Sequence, residues 1–177
     1  MLLSRFAPIA LGLLLAAPVA KATDARIPME KKGSDTFYVP VELGGSRSAE
    51  FLVDTGSSHM AIRESTLRDL QDREQATFVK NLAGRMADGS RKVVPVYRID
   101  RVRIGEDCFL NGVEAAVFPD SSRPILGLSA LRRAGSIRIS MDPPTLQLGQ
   151  CDRHTARVPG KGALASADAG EGELPRP

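Results

Sequence analysis

The residue best suited to chemistry in this sequence is Asp54, which directly follows the apolar run 51–53 and begins an Asp-Thr-Gly-Ser turn. A carboxylate at the end of a buried strand is costly to ionise unless hydrogen bonds stabilise it. Thr55 and Ser57 supply hydroxyl groups for this purpose, and Gly56 allows a tight turn that directs backbone N–H groups toward the carboxylate. Asp54 is therefore the first candidate for catalysis, although the same turn also occurs as an ordinary strand end.

A second apolar element lies well downstream and ends in a glycine. Ile125 and Leu126 precede Gly127, and residues 128–131 have a short helical pattern. Between the two elements, residues 86–90 indicate a hairpin tip centred on Asp-Gly. The combination resembles the retropepsin type of aspartic protease, and more narrowly the bacterial single-domain members with an N-terminal export or anchor segment. The resemblance covers roughly Phe37 to Leu148, and its matching residues are Asp54, Thr55, Gly56, Asp88, Gly89, Ile125, Leu126 and Gly127.

The resemblance implies an all-β fold, a closed β-barrel or sandwich with one short helix after the second ψ-loop strand. The chain would form half of a dimeric aspartic protease. In such a protein Thr55, Gly56 and Ser57 form the active-site loop, Thr55 bonds to the opposing loop, and the hairpin tip is a flap over the substrate. Ser57 stands where many retroviral members have alanine. Its hydroxyl is expected to bond to Asp54 and to favour a more acidic pH optimum.

The activity implied is that of an aspartic endopeptidase that needs no cofactor or metal and hydrolyses extended polypeptides. Two-lobed relatives carry two such motifs in a much longer chain, whereas these 177 residues carry one. A homodimer in which each chain supplies Asp54 is therefore expected. Two alternatives stay open at this point: a non-catalytic dimerisation or peptide-binding module of the cell envelope, and a structural envelope protein that only contains similar turns.

The N-terminal residues predict export. Arg5 precedes an apolar stretch from Phe6 to Ala20, and Ala20-Lys21-Ala22 offers small residues for cleavage. The stretch is shorter than the roughly 20 residues of a membrane-spanning helix, but an uncleaved anchor in the inner membrane remains the alternative. The predicted location is periplasmic. We predict a signal peptide at 1–22, a linker at 23–34, the protease domain at 35–151 and a disordered tail at 152–177.

The charge balance gives no case for binding nucleic acid or an anionic membrane. Removing residues 1–22 takes two basic residues and no acids, so 24 Lys and Arg become 22 against 21 Asp and Glu. The mature net charge is then near +1, too small for strong attraction to a polyanion. The hydrophobic fraction of 42%, the 16 glycines and the absence of tryptophan agree with a compact β-rich domain.

Two cysteines, Cys108 and Cys151, are an even number in a chain expected in an oxidising compartment. A disulfide between them is possible, and so are two free thiols. Their spacing fits no metal motif. His59 is a neighbour of the candidate loop, and His154 belongs to the predicted tail, so neither suggests a metal site or a catalytic triad.

Apolar alternation and turn residues predict the remaining elements. Strands are expected at 37–43, 49–54, 83–87, 91–97, 99–104, 109–118, 137–139 and 146–148, and helices at 64–70 and 128–133. Gly135 is placed to end the second helix.

Overall fold

The structure, a computed structural model, describes residues 23–33, 35–85 and 89–152. Strands and helices are numbered in chain order. The strands are β1 (Thr23–Pro28), β2 (Glu30–Lys32), β3 (Thr36–Leu43), β4 (Ala49–Val53), β5 (Met60–Arg63), β6 (Ala76–Arg85), β7 (Arg91–Ile104), β8 (Cys108–Phe118), β9 (Ile125–Leu126), β10 (Ile137–Met141) and β11 (Pro144–Cys151). The helices are α1 (Glu64–Asp72) and α2 (Leu128–Leu131), and a 3-10 turn over Arg132–Ala134 follows α2.

One sheet closes on itself to form the barrel. Its strands are ordered β2-β3-β4-β9-β5-β8-β7-β6, and β3 also pairs with β7. This second pairing joins Val41 to Ile104 and Leu43 to Val102, so that β3, β4, β9, β5, β8 and β7 form a ring. The all-β barrel expected from the sequence is confirmed.

The core of the barrel follows from alternating side chains. In β3, Val39, Val41 and Leu43 point inward, and the fully buried set across the other strands includes Met60, Ile62, Ile99, Ile104 and Leu126. Each buried aliphatic side chain of this size contributes about 1.5–3 kcal/mol relative to leaving it in water. This core holds β4 and β9, the strands that position the candidate site.

The predicted linker over 23–34 is wrong. Residues 23–28 form β1, which pairs antiparallel with β11 in a separate sheet ordered β1-β11-β10. Ala25, Ile27 and Met29 are buried in the same core as the barrel residues. The domain therefore begins before residue 35, because apolar side chains of β1 and of Met29 are part of its core.

The other domain boundaries are only partly visible. Asp152 forms an isolated bridge with Phe109. The predicted signal peptide over 1–22 and residues 153–177 of the predicted tail lie outside the described residues. Within the described part of the chain, neither helix has the length and apolar character needed to cross a membrane.

Both predicted helices are present, with small differences in extent. Helix α1 buries Leu67 and Leu70 against the barrel and runs two residues further than predicted. Helix α2 continues as the 3-10 turn and ends at Gly135, whose φ of 67° favours glycine. The predicted segments 91–97 and 99–104 form one continuous strand, β7.

The structure joins Cys108 and Cys151 in a disulfide within the chain, with both residues buried. The bond links the first residue of β8 to the last residue of β11. It therefore ties the three-stranded sheet to the barrel, away from the loop that carries Asp54.

Candidate active site

Asp54 lies where two strands of the barrel run side by side. Strand β9 pairs in parallel with β4, matching Leu52 with Ile125 and Val53 with Leu126, and it pairs antiparallel with β5 on its other side. The ladder continues one residue beyond β4, because the Asp54 backbone N–H donates to the Leu126 carbonyl at 3.2 Å. The sequence-predicted elements around Asp54 and Ile125–Gly127 are thus brought together.

The Asp54 carboxylate is held by its own turn. The Gly56 N–H donates to Asp54 Oδ1 at 2.8 Å, and the Ser57 N–H donates to the Asp54 carbonyl at 3.3 Å. A Cβ on residue 56 would lie 3.2 Å from Oδ1, so glycine lets the backbone approach closely. Asp54 is half-buried, whereas Thr55 and Gly56 are exposed. The carboxylate is therefore oriented yet accessible from outside the chain.

Gly127 packs directly against the far side of this loop. A Cβ at this position would lie 2.2 Å from the His59 carbonyl oxygen and 2.9 Å from that of Ser57. The next residue, Leu128, donates its N–H to the Ser57 carbonyl at 2.9 Å. Gly127 thus allows the loop and the start of α2 to touch backbone to backbone.

The expected hydrogen bond from the Ser57 hydroxyl to Asp54 is not formed. Ser57 Oγ instead donates to the His59 carbonyl at 2.8 Å, because the side chain turns toward its own loop. Thr55 Oγ1 has no hydrogen-bond partner among the described residues, and its side chain is exposed. Asp54 is therefore oriented by a backbone N–H, and neither hydroxyl of the turn forms a hydrogen bond with its carboxylate.

Ser129 is a site residue that sequence reasoning missed. Its Oγ accepts from the Met60 N–H at 2.8 Å and donates to the Glu114 carbonyl at 2.6 Å. One hydroxyl thus joins α2, β5 and β8 immediately after the loop that carries Asp54. No local pattern reveals this contact, because Met60 and Ser129 are 69 residues apart in sequence.

The loop between β8 and β9 is fixed against the start of α1. Asp120 Oδ1 accepts from the Ser65 N–H at 2.8 Å, and Arg68 lies 3.3 Å from Oδ2. The Ser65 N–H holds the pKa of Asp120 below its ordinary value, and the Arg68 charge acts in the same direction. Arg63 Nε also donates to the Ser122 carbonyl at 2.8 Å. The loop that leads into β9 is therefore held in place by residues of β5 and α1.

The predicted flap corresponds to the β6–β7 hairpin. The two strands pair from Ala76 with Ile99 to Arg85 with Arg91. Gly89 has a φ of 82°, which suits glycine in a tight turn, whereas Asp88 lies outside the described residues. A small apolar cluster lies along the middle of the hairpin, where β7 begins to pair with β8, and comprises Leu82, Val94, Val96, Ala116 and Phe118.

His59 lies near two charged side chains. Its Nε2 is 3.9 Å from Glu114 Oε2, and Lys80 Nζ is 3.0 Å from the same oxygen. Across residues 23–33, 35–85 and 89–152, no three His, Cys, Asp or Glu side chains lie together in a way that could hold a metal ion.

Comparison with known proteins decides the family. A family model described as gag-polyprotein putative aspartyl protease matches residues 39–133, more than half of the chain. The chain belongs to this aspartyl protease family. The matched span runs from β3 to the turn after α2, so it contains Asp54, β9 and Gly127. The retropepsin-like resemblance identified from the sequence is confirmed, and family membership supports a proteolytic, hydrolytic function.

The fold of this aspartyl protease family member is also similar to that of a solved bacterial protein. That protein is a retropepsin-like aspartic protease from Rickettsia conorii, and the match has a TM-score of 0.52 at 20% sequence identity. It covers 72% of this chain and 92% of the Rickettsia protein. None of the curated proteins matches the chain.

Proposed function

We propose that this family member is an aspartic endopeptidase that acts as a homodimer, with one Asp54 from each chain in a shared site. The observation that carries the proposal is the geometry of Asp54. A single Asp-Thr-Gly turn presents an oriented, accessible carboxylate at the end of the paired strands β4 and β9. One such turn per chain supplies half of a two-carboxylate site.

The chemistry requires two carboxyl groups. Hydrolysis of a peptide bond by activated water needs a base to take a proton from water and an acid to protonate the carbonyl oxygen or the leaving amine. Two carboxylates in close contact share one proton, so one is the base while the other is the acid. The pair titrates as a unit, and neither role belongs permanently to one chain.

The substrates proposed are extended polypeptides. Backbone pairing with an extended chain gives affinity that depends little on sequence, and side-chain pockets then add selectivity. The exposed side chain of Thr55 is available to contact the opposing loop in the dimer. The β6–β7 hairpin is proposed to close over the bound peptide.

We also propose that the protein is exported to the periplasm after cleavage near residue 22. The intrachain disulfide agrees with an oxidising compartment. N-terminal sequencing of the protein from cell fractions tests this proposal, and a mature chain that retains residues 1–22 in the cytoplasm would contradict it.

The decisive test of the shared site uses Asp54→Asn, which keeps the shape of the side chain and removes its ionisable group. Loss of general acid–base catalysis is expected to lower kcat by about 10²- to 10⁴-fold. Asp69→Asn, on the exposed face of α1, is the matched control and should keep full activity. Cleavage of a denatured protein at acid pH provides the readout, and both variants should retain the wild-type circular dichroism spectrum.

Mixing then separates a shared site from a site within one chain. With Asp54→Asn chains at a ninefold excess, random pairing leaves only about one wild-type chain in ten with a wild-type partner. Activity per wild-type chain should fall accordingly after subunit exchange, which mixed labelled chains can verify. Activity that is unaffected by the excess mutant after verified exchange would contradict the homodimer, and an active Asp54→Asn protein would contradict the catalytic role.

A further inference from the structure

The loop between β8 and β9 carries Arg123, which lies close to the strands of the proposed active site. The structure restricts the position of the Arg123 backbone. The loop is held at Asp120 by the Ser65 N–H and at the Ser122 carbonyl by Arg63. On the other side, the Leu52 N–H donates to the Pro124 carbonyl at 3.0 Å. Arg123 therefore has fixed backbone on both sides.

Strand register places Arg123 on the same face of the sheet as Asp54. Val53 and Leu126 pair with each other and pack on the core, so their neighbours Leu52 and Ile125 belong to the opposite face. Asp54 lies two residues after Leu52, and Arg123 lies two residues before Ile125. The residue before a proline favours extended backbone, so we infer that the alternation continues through Arg123.

The guanidinium of Arg123 is uncommitted. Arg123 is exposed, and no hydrogen bond or ion pair among the described residues uses its side chain. By contrast, Arg63 at the end of β5 and Arg68 on α1 both contact this loop through their side chains. The carboxylate of Glu50, on the same face of β4 as Leu52, forms its ion pair with Lys32.

We propose that Arg123 selects substrates that carry an acidic side chain close to the scissile bond. The inference rests on the proposed peptidase function and names a preference of the same site. Arg123 lies three residues before Leu126, the residue bonded to Asp54, which is about 10 Å along an extended strand at about 3.3 Å per residue. An extended substrate advances by the same distance per residue, so the acidic residue lies within about three positions of the cleaved bond.

The homodimer gives this preference a definite pattern. The two chains are related by a two-fold axis, and each contributes one Arg123. An acidic residue is therefore favoured on the N-terminal side of the scissile bond and, at the equivalent distance, on the C-terminal side. Neutral residues at these positions lack this attraction, and basic residues are repelled by Arg123.

The experiment measures kcat/KM of the full-length dimer for matched peptides with Glu, Gln or Lys at each of the three positions on either side of the cleaved bond. An ion pair at an exposed site is expected to favour Glu over Gln by about two- to fivefold, and added salt should reduce the ratio. The ratio should disappear below about pH 4.3, where the substrate glutamate is protonated.

Arg123→Glu is expected to reverse the order, so that Lys peptides become better substrates than Glu peptides, and Arg123→Gln should remove the preference without reversing it. Arg47→Glu, in the exposed turn before β4, is the matched control and should keep the wild-type order. A wild type that cleaves peptides without any acidic preference, or an Arg123→Glu variant with the wild-type order, overturns the inference alone. A wild type that cleaves no peptide overturns the proposed function and the inference together.

Discussion

Replacing Gly127 by alanine tests the backbone contact that positions the Asp54 loop. The backbone of Gly127 has φ of −97°, which alanine also adopts, so the expected effect is purely steric. The new Cβ would lie 2.2 Å from the His59 carbonyl oxygen, whereas real Cβ atoms stay at least 3.0 Å away. The difference, 3.0 less 2.2, means that backbone must move by about 0.8 Å.

A movement of this size falls on the loop that carries Asp54. Displacing catalytic geometry by about 1 Å costs on the order of 10²-fold in rate. Overpacking of this kind also lowers the free energy of unfolding by about 1–3 kcal/mol. We therefore expect kcat/KM to fall about 10²-fold while the protein remains folded, because even the larger of these costs is below the usual stability of a domain.

The assay combines peptide cleavage with denaturant unfolding, and Gly149→Ala is the matched control. A Cβ at Gly149 would lie 2.1 Å from Ser136 Oγ, but that obstacle is a side-chain hydroxyl that can rotate away. This control should cost less stability than Gly127→Ala and should leave kcat/KM unchanged. The reasoning is refuted if Gly127→Ala retains wild-type kcat/KM, or if the two alanine variants lose activity equally.

Two further predictions concern contacts beside the loop. Ser129→Ala removes the hydroxyl that accepts from Met60 and leaves that N–H without its partner, at a cost of about 1–3 kcal/mol. Ser129→Ala should lower kcat more than it changes KM. Ser129→Thr keeps a hydroxyl and should restore kcat. An equal loss of kcat in both variants would argue against positioning by the hydroxyl. The Ser65 N–H lowers the pKa of Asp120 in the folded protein from its ordinary value of 3.8. The ionised carboxylate therefore stabilises the fold above pH 3.8, and this stabilisation is lost as the pH falls through the lower pKa of the folded state. Asp120→Asn should therefore unfold at a lower urea concentration than wild type near pH 6, and this difference should vanish in strong acid; a difference that persists unchanged in acid would show that the charge is not responsible.

Several features of this protein could be predicted from the sequence because short-range physics specifies them. The apolar run before Asp54 and the glycine after it predict a strand that ends in a tight turn, and the observed Gly56 N–H to Asp54 bond spans only two residues. The helix α1 follows from local apolar spacing in the same way. The family resemblance rested on such local motifs, which is why Asp54 and Ile125–Gly127 were identified together.

Other features depend on contacts between distant residues, for which a local pattern carries little information. The local sequence predicts a linker over 23–34, although residues 23–28 form β1 by pairing with β11, more than 100 residues later in the chain. Residue type alone predicts a bond from the Ser57 hydroxyl to Asp54, and only the folded geometry showed that the acceptor is the His59 carbonyl.

The sequence by itself determined the catalytic candidate and the turns, because these follow from residue type and from neighbours a few positions away, and the family resemblance of its motifs implied the all-β fold. Only the tertiary structure decided that Ser129 joins β5 to β8, that Asp120 anchors the loop before β9, and that Arg123 shares a face with Asp54. The physical reason is that hydrogen bonds and strand register between distant segments are specified by packing of the whole core.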